Sequence, residues 1–288
     1  MKTAIVTDSN SGITQSQAKE LGIYVVPMPV LIDGEQYFED ISLTQEQFYE
    51  KLKSDAQVST SQPSAYDVGE LWTKLLKDYD KIIHIPMSSG LSETCHTLSH
   101  LAETQFEGKV YVIDNQRISI TMRHSVDDAL NMIRDGKTAE EIRDFLMQTK
   151  MQSSIYIMVD TLKYLKKGGR LTPAVAAIGT LLKIKPVLQI QGEKLDQFKK
   201  VRKLAAAKAV MIDAIRSDLD TRFKDLRAAG KMVLAVAHTQ NFEEARIFAD
   251  EIKSAFPDIE LNYIDPLSLS VSCHIGPGAL AVATSVKY

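Results

Sequence analysis

Short apolar runs alternate with helix-like stretches along this chain, and that alternation limits the fold more than any other feature. The runs that carry the pattern are residues 3–8 (TAIVTD), 81–86 (KIIHIP), 109–114 (KVYVID) and 153–160 (SSIYIMVD). Runs that are apolar at nearly every position are typical of strands buried on both faces. Strands that alternate with helices predict a parallel sheet with helices on both faces, and ligands bind such sheets beyond the carboxyl ends of the strands.

Local capping signals place several of the helices. Three capping boxes, each a threonine followed three residues later by Gln or Glu, occur at Thr14 with Gln17, Thr44 with Gln47, and Thr138 with Glu141. Ser64 predicts one more helix start. Residues 23–34 (IYVVPMPVLIDG) are strand-like, but their two prolines indicate an edge or irregular strand, and Asp33-Gly34 predicts a hairpin turn.

The pattern changes after Asp160, where we place the boundary between two domains, residues 1–160 and residues 161–288. The second domain begins with a short helix in TLKYLKKGGRLTP, whose LTP predicts a further helix start. A hairpin that turns near Gly192, a long helix over residues 202–229, and the strands KMVLAVAH and IELNYID on either side of a helix follow. Residues 267–273 (LSLSVSC) stay open, because alternation favours a strand whereas the glycine and proline that follow favour a helix end.

Composition excludes several classes of function. A chain of 288 residues with 44% hydrophobic and 25% charged residues is typical of a globular protein with two domains. Its formal net charge of −3 gives no basic footprint for nucleic acid and no reason to expect an anionic membrane as the main partner. With no signal peptide or membrane span in the sequence, we expect a cytoplasmic protein. Cys95 and Cys273 fit a reducing compartment and lack metal-ligand spacing, although one disulfide between them stays open.

Two clusters of hydroxyl side chains stand at predicted helix starts. Residues 57–64 (QVSTSQPS) hold three consecutive hydroxyls, and residues 86–94 (PMSSGLSET) follow a predicted strand. Backbone N–H groups and the positive end of a helix favour an anion at such a place. The simpler explanation is structural, because Ser64 and either Ser89 or Ser92 can cap the helices that follow. Their shared position beyond the strands makes the clusters a candidate anion site.

Other features are weaker candidates. His274, which precedes IGPG, is of a kind that is more often structural than catalytic. The KKGGR segment matches neither a P-loop nor a dinucleotide fingerprint. Asp8 has no second carboxylate at a suitable spacing, so a turn role is favoured and no metal site is expected. Arg170 and Arg202 are candidate contacts for a phosphate or for an acidic partner surface, against the simpler role of solvated cations.

Five segments in a shared order and spacing carry a family resemblance: VSTSQPS, SSGLSET, VDTLKYLKKGGRLTP, IGTLLKIKPVL and HIGPGAL. On these segments the chain resembles the DegV family, whose members include the fatty-acid-binding subunits of bacterial fatty acid kinase, called FakB. The resemblance runs from TDSNSGI to the C-terminus. It implies an α/β, two-domain DegV-like fold, with an N-terminal parallel sheet flanked by helices, a second α/β domain, and one fatty acid between the two.

The resemblance also implies roles for particular residues. Thr60, Ser61 and Ser92 match the positions that bind the carboxylate of a long-chain fatty acid, and His274 is expected close to the head group at the end of a helix. The chain would be a lipid-binding carrier with no catalytic residues, metal or cofactor of its own. An ATP-dependent fatty acid kinase would be its protein partner, because no nucleotide motif occurs in this chain. A transient contact with a membrane is compatible with that role.

This chain departs from its relatives at a few positions. Residues 115–130 (NQRISITMRHSVDDAL) are more charged than the small, glycine-containing stretch usual there, and Glu93 and Ala281 stand where glycine is common. We expect these differences to affect the pocket for the tail, and so the choice of chain length, rather than the head-group residues.

Two further functions remain as alternatives. A serine-dependent lipid hydrolase or acyltransferase would use Ser92 or Ser61 as nucleophile and His274 as base. Against it, no G-x-S-x-G elbow occurs and no acid is evident that would orient the histidine. The other alternative is a sensor that binds lipid without any kinase.

Overall fold

The computed structural model describes residues 2–54, 56–170 and 184–288. The chain forms two compact units, Met1–Met151 together with Tyr288, and Gln152–Lys287. This division falls before the boundary that we placed at residue 160, because the strand Ser153–Met158 pairs within the sheet of the second unit. Among the helices of the described ranges, none has the length and apolar character needed to cross a membrane.

The strands of the first unit belong to two sheets. They are β1 (Thr3–Asp8), β2 (Tyr24–Val26), β3 (Pro29–Ile32), β4 (Glu35–Phe38), β5 (Val58–Thr60), β6 (Lys81–Ile85) and β7 (Val110–Val112). One sheet has the order β2-β1-β6-β7 and is parallel throughout, as predicted. The other has the order β4-β3-β5 and is antiparallel.

The two prolines of residues 23–34 divide that segment between the sheets. Strand β2 ends before Pro27 and forms an edge of the parallel sheet, whereas β3 begins at Pro29 in the antiparallel sheet. The predicted hairpin turn is confirmed, since Asp33 and Gly34 have φ values of 51° and 88° between β3 and β4. Glycine and aspartate are favoured in this left-handed turn conformation.

The described α-helices of the first unit are α1 (Gln15–Leu21), α2 (Gln45–Lys53), α3 (Ala65–Leu75), α4 (Thr94–Gln105), α5 (Ser119–Arg134) and α6 (Ala139–Gln148). Helices α1, α3, α4, α5 and α6 pack on strands of the parallel sheet. All three predicted capping boxes are present, at Thr14, Thr44 and Thr138, and Ser64 caps α3. Helix α3 buries one face against β1 and β6, and the Trp72 indole donates to His84 Nδ1 at 3.1 Å within that core.

The second unit contains a mixed sheet. Its strands are β8 (Ser153–Met158), β9 (Lys185–Ile190), β10 (Leu195–Val201), β11 (Met232–His238), β12 (Leu261–Pro266) and β13 (Leu280–Val286), in the order β10-β9-β8-β13-β11-β12. Among the pairs that these described strands form, β11–β12 alone is parallel. The prediction that β8 continues a parallel sheet is therefore wrong, because its partners β9 and β13 both run antiparallel to it.

One helix of the second unit is shorter than the sequence predicted. The described helices are α7 (Lys163–Lys167), α8 (Leu204–Asp220), α9 (Lys224–Ala228), α10 (Phe242–Ala255) and α11 (Leu269–Ile275). The single helix predicted over residues 202–229 is broken after Asp220, where the chain turns and Phe223 enters the core with 3% of its surface exposed. The helix start predicted at LTP, residues 171–173, lies outside the described residues.

The segment left open between strand and helix is a helix. Ser268 caps α11 by accepting the Val271 N–H at 3.4 Å, and Gly276 follows the helix with φ of 76°. Buried serines on this helix, Ser270 and Ser272, explain the alternation that resembled a strand. The structure confirms the helix that the family resemblance implied.

Candidate functional site

The first hydroxyl cluster lies at the end of an edge strand. Strand β5 pairs with β3, so that Thr60 lies opposite Val30, and the Ser61 N–H donates to the Pro29 carbonyl at 3.3 Å. Thr60 is half-buried and Ser61 is exposed. Part of the segment that we predicted as a loop is therefore a strand, and pairing with β3 fixes the backbone that carries both hydroxyls.

The second hydroxyl cluster lies between β6 and α4. Ser92 is half-buried, and its Oγ accepts the Thr94 N–H at 3.2 Å and lies 2.8 Å from Thr94 Oγ1. Ser92 thus bonds the first N–H of α4 from the position before the N-cap residue, Glu93, instead of being the N-cap itself. When the Thr94 hydroxyl is the donor, Ser92 Oγ accepts two bonds and its own proton is directed to another acceptor. A ligand carboxylate is an acceptor of that kind.

Two other serines of this loop have structural roles. Ser88 is fully buried, and its Oγ accepts the Gly90 N–H at 3.2 Å. Ser89 donates its hydroxyl to Asp114 Oδ2 at 2.7 Å. Of the two candidate caps, Ser92 contacts the helix start whereas Ser89 binds the segment that follows β7.

A side-chain contact joins the two clusters. Thr97 Oγ1 in the first turn of α4 donates to Gln62 Oε1 at 3.2 Å. Gln62 directly follows Ser61, and the Ser92 hydroxyl accepts the first N–H of the same helix. The structure therefore places the end of the first cluster beside the start of α4, the helix that follows the second cluster.

The positive end of α4 opens onto this region. The residue at its N-cap position is Glu93, which is exposed and makes no capping hydrogen bond through its side chain. The first N–H groups of any helix lack partners within the helix, and its dipole favours negative charge there. Hydroxyls and backbone amides together can bind an anion at this place.

His274 lies in the second unit, in the last turn of α11, and its ring packs on a glycine of the KKGGR segment. A Cβ atom added to Gly168 would lie 2.0 Å from His274 Nδ1 and 2.8 Å from Cε1. Likewise, a Cβ on Gly276 would lie 2.2 Å from Cδ2 of Tyr164 in α7. Only glycine fits at either position, so KKGGR permits the close approach of α7 to α11.

The electrostatic setting keeps His274 uncharged at neutral pH. Burial lowers the pKa of His274 to about 4, and the positive charge of Arg170 contributes in the same direction. Arg170 is exposed, and its Nη1 donates to the Gly168 carbonyl at 3.0 Å. A neutral imidazole can donate one hydrogen bond and accept another, but it carries no charge to pair with an anion.

The second arginine candidate lies elsewhere on the second unit. Arg202 directly follows β10 and is exposed. Arg170 is thus placed beside His274, whereas Arg202 belongs to the connection between β10 and α8. The contact of either arginine with a partner stays a prediction.

Asp8 has the turn role that the sequence favoured. Its Oδ1 accepts from the Asn10 backbone and side-chain amides at 2.9 and 2.8 Å, and its Oδ2 accepts the Met87 N–H at 2.9 Å. Burial raises the pKa of Asp8 to about 6. Within the ranges that the structure describes, no group of three or more His, Cys, Asp or Glu side chains is arranged to hold a metal. Cys95 and Cys273 are both buried and form no disulfide.

The charged segment of residues 115–130 is largely buried. Arg117 is 1% exposed and donates to Ser125 Oγ at 3.1 Å and to the Thr149 carbonyl at 3.0 Å. Burial lowers its pKa to about 10. Further buried polar residues of this segment are Asn115, Ser119, Thr121, Arg123, His124 and Asp128. These residues form a polar interior in and before α5.

Sequence reasoning missed several residues that shape these sites. The Gln62–Thr97 pair was not singled out, because side-chain pairing across many residues leaves no local signal. Gly168 was noted only as part of a weak phosphate motif, although its glycine pair could have indicated a close backbone approach. Nothing in the sequence indicated Tyr164.

Comparison with known proteins gives a match over the full length. The sequence profile of a family described as "Uncharacterised protein, DegV family" matches residues 2–287. Protein DegV of Bacillus subtilis is 32% identical over 289 residues, which cover 100% of each chain.

Solved structures match as completely. A DegV family protein from Thermus thermophilus, described with the words "fatty acid binding", superposes with a TM-score of 0.90 at 26% identity, over 99% of this chain and 100% of that one. DegV of Bacillus subtilis, described as a fatty acid binding protein, superposes with a TM-score of 0.85 at 31% identity over 100% of both chains. The α/β fold expected from the sequence is confirmed by these matches.

Proposed function

This chain belongs to the DegV family, and on that premise we propose that it binds one long-chain fatty acid and presents its carboxylate to a separate ATP-dependent kinase. Fatty acid binding is supported by the relatives from Thermus thermophilus and Bacillus subtilis, which share the fold over their full length and are described as fatty acid binding. Presentation to a kinase is the further step of the proposal.

One observation carries the proposal. The segment that carries Thr60 and Ser61 is bonded through Gln62 to Thr97 in the first turn of α4, and the Ser92 hydroxyl bonds the first N–H of that helix. Such a group of hydroxyls offers several donors to one carboxylate. We assign the carboxylate to the hydroxyls of Thr60, Ser61 and Ser92, and His274 stays the further head-group residue that the family resemblance implies.

The physical chemistry of a fatty acid divides between its two ends. Burying the tail gains about 0.8 kcal/mol per methylene, or on the order of 10 kcal/mol gross for sixteen carbons before the cost of association. Hydrogen bonds to a charged group contribute about 1.5–3 kcal/mol each. Affinity therefore comes mainly from the tail, and the head group needs orientation and compensation for lost water.

Hydroxyls suit a carboxylate that must react. In the proposed step a carboxylate oxygen attacks the γ-phosphorus of ATP held by the kinase, an acyl phosphate forms, and ADP leaves with the electrons of the broken P–O bond. A bidentate arginine clamp would hold both carboxylate oxygens and reduce their nucleophilicity. Hydroxyl donors such as Ser92 orient the carboxylate without a fixed opposite charge.

His274 fits a hydrogen-bonding role better than a charge-balancing one. Because burial lowers its pKa to about 4, the ring is neutral at the pH of a cytoplasm. Arg170 supplies the nearby positive charge. We assign Arg170 and Arg202, both exposed, to docking of the kinase or contact with its phosphate.

The hydrolase alternative is not favoured. Within the described residues, Ser92 Oγ is bonded to Thr94 and not to a basic side chain. With a pKa of about 4, His274 is a weak general base at neutral pH. An activity-based serine probe applied to the purified protein tests this directly, and labelling of Ser92 would restore the alternative.

The first test identifies the ligand. The purified protein is denatured and extracted with organic solvent, and the extract is analysed by mass spectrometry. We expect about one long-chain fatty acid per chain, and a protein that carries none and binds none when it is supplied would refute the proposal. Adding a fatty acid kinase and ATP separates the carrier from a lipid sensor, because only the carrier supports acyl-phosphate formation.

The second test separates the head group from the tail. Ser92→Ala and Thr60→Ala should impair kinase-coupled turnover more than they weaken fatty acid binding, since the tail is unchanged. Thr73→Ala is the matched control, because it removes an exposed hydroxyl that donates to the Gly69 carbonyl within α3. Equal losses of turnover and binding in the Ser92 and Thr60 variants would contradict the assigned roles.

A further inference from the structure

Three consecutive backbone N–H groups anchor the loop that carries Ser92. The bonds run from Met87 to Asp8 Oδ2 at 2.9 Å, from Ser88 to the Arg117 carbonyl at 2.9 Å, and from Ser89 to Asp114 Oδ1 at 3.2 Å. The Ser89 hydroxyl adds a bond to Asp114 Oδ2 at 2.7 Å. The acceptors come from both neighbours of β6, since Asp8 ends β1 and Asp114 follows β7.

We propose that Asp8 and Asp114 are positioning residues for head-group binding, which hold the loop of residues 87–92 so that the Ser92 hydroxyl meets the ligand carboxylate. This inference rests on the proposed function, because it takes Ser92 as a head-group ligand. Neither aspartate touches the ligand in this proposal, and both act through the loop.

A short chain of hydrogen bonds links the anchors to Ser92. The carbonyl of the anchored Ser88 accepts the Leu91 N–H at 3.0 Å and the Ser92 N–H at 3.2 Å, while its hydroxyl accepts from Gly90. Ser88 itself is fully buried. A displacement of residues 87–89 is therefore passed directly to the backbone of Ser92.

Asp8 bonds the loop through a fully buried carboxylate, whose burial is unfavourable in free energy. Both of its oxygens are used, one by Asn10 and the other by Met87, and the residue has no exposed surface. Burying a carboxylate destabilises its charged form, which is why burial raises the pKa of Asp8 to about 6. The buried carboxylate destabilises the folded state, but its bond to the Met87 N–H fixes the position of the loop.

The third acceptor lies in a strained segment. Arg117 lies between two non-glycine residues in the left-handed region, Gln116 with φ of 57° and Ser119 with φ of 55°. Such conformations are unfavourable for residues with a Cβ atom and are found preferentially at functional sites. Here they turn the Arg117 carbonyl toward the Ser88 N–H.

The test compares two ligands that share a tail. Binding of a saturated sixteen-carbon fatty acid and of the sixteen-carbon alcohol is measured for the wild type, Asp114→Ala and Asp8→Asn. We expect each variant to bind the acid about ten-fold more weakly while its affinity for the alcohol stays within about two-fold. Asparagine offers one oxygen where Asp8 uses two, so Asp8→Asn must give up the bond to Asn10 or the bond to Met87.

A matched control lies at the opposite ends of the same strands, β1 and β6. The Asp80 carboxylate accepts the Lys2 N–H at 2.6 Å, before the amino ends of β6 and β1. Asp80→Ala removes a comparable bond far along the strands from Ser92. We expect its ratio of acid to alcohol affinity to equal that of the wild type.

The outcomes separate this inference from the proposed function. A wild type that fails to bind the acid refutes the proposed function itself. A wild type that binds, with an unchanged acid-to-alcohol ratio in both variants, overturns the positioning role alone. Equal loss of both ligands indicates a structural role only and also overturns it. Should Asp8→Asn fail to fold, Asp114→Ala decides the question, because Asp114 is half-buried.

Discussion

Gly168→Ala tests the close approach that shapes the surroundings of His274. Gly168 has φ of −83° and ψ of 3°, which alanine adopts without strain. The added Cβ, however, would lie 2.0 Å from His274 Nδ1, 2.8 Å from Cε1 and 3.2 Å from Cγ. Gly168→Ala therefore affects stability through a steric overlap with the His274 imidazole.

The magnitude follows from the overlap. Atoms in ordinary contact lie 3.4 Å or more apart, so the imidazole or helix α7 must move by on the order of 1 Å. Overpacking of this kind costs about 1–3 kcal/mol, while loss of unfolded-state entropy on replacing glycine returns about 0.4–1 kcal/mol. We expect Gly168→Ala to lower the free energy of unfolding by about 1–2 kcal/mol and to weaken fatty acid binding through displacement of His274.

Urea unfolding of a double-mutant cycle measures the overlap itself. The free energy of unfolding is determined for wild type, Gly168→Ala, His274→Ala and the double variant. With the imidazole removed, the added methyl has room. We therefore expect Gly168→Ala to be neutral or slightly stabilising in the His274→Ala background.

The neighbouring glycine is the control. Gly169 has φ of 66°, and in the described part of the chain no atom lies within 4 Å of where its Cβ would be. Gly169→Ala should cost about 1 kcal/mol through backbone strain, and His274→Ala should not relieve that cost. The steric reasoning is refuted if Gly168→Ala unfolds like the wild type, or if its cost is the same with and without the imidazole.

Three further predictions follow from contacts in the two units. Gly276→Ala places a Cβ 2.2 Å from the Tyr164 ring in a residue with φ of 76°, so we expect the free energy of unfolding in urea to fall by about 2–4 kcal/mol. Tyr164→Ala should restore part of this loss, and an unshifted unfolding midpoint of Gly276→Ala would contradict the prediction. Trp72→Phe removes the donor to His84 Nδ1 in the core and should cost about 1–3 kcal/mol by thermal unfolding, whereas a cost below about 0.5 kcal/mol would show that the bond adds little. Burial raises the pKa of Asp8 from 3.8 to about 6. Between these two pH values the folded state holds a proton that the unfolded state releases, so the contribution of Asp8 to the free energy of unfolding increases as the pH falls. Asp8→Asn removes this contribution, so the free energy of unfolding of the variant relative to that of the wild type should drop by up to about 3 kcal/mol from pH 7 to pH 4. Parallel pH profiles of the two proteins would argue against the raised pKa of Asp8.

Capping signals were the most dependable part of the sequence. The boxes at Thr14, Thr44 and Thr138 are all present, and Ser64 caps α3 as predicted. Each of these interactions closes within four residues, so the local sequence holds both partners. Where a fold-level contact competes with local propensity, as where Phe223 enters the core and ends α8, the local prediction was wrong.

Strand existence was predicted more reliably than strand pairing. The apolar runs at β1, β6 and β7 do form a parallel sheet, yet the similar run at β8 lies between two antiparallel partners. An apolar run reports that a strand is buried on both faces. It does not report which strands lie beside it, because those partners are contributed by distant parts of the chain.

The candidate site shows the same division. The sequence by itself determined the α/β class, the helix starts, and the two hydroxyl clusters at them, because each depends on neighbouring residues. Only the tertiary structure decided that Gln62 meets Thr97, that Gly168 lies against His274, and that Asp8 and Asp114 bond the loop before Ser92. Those contacts join residues far apart in the chain, and they form only when packing of the whole unit compensates for the entropy of bringing them together.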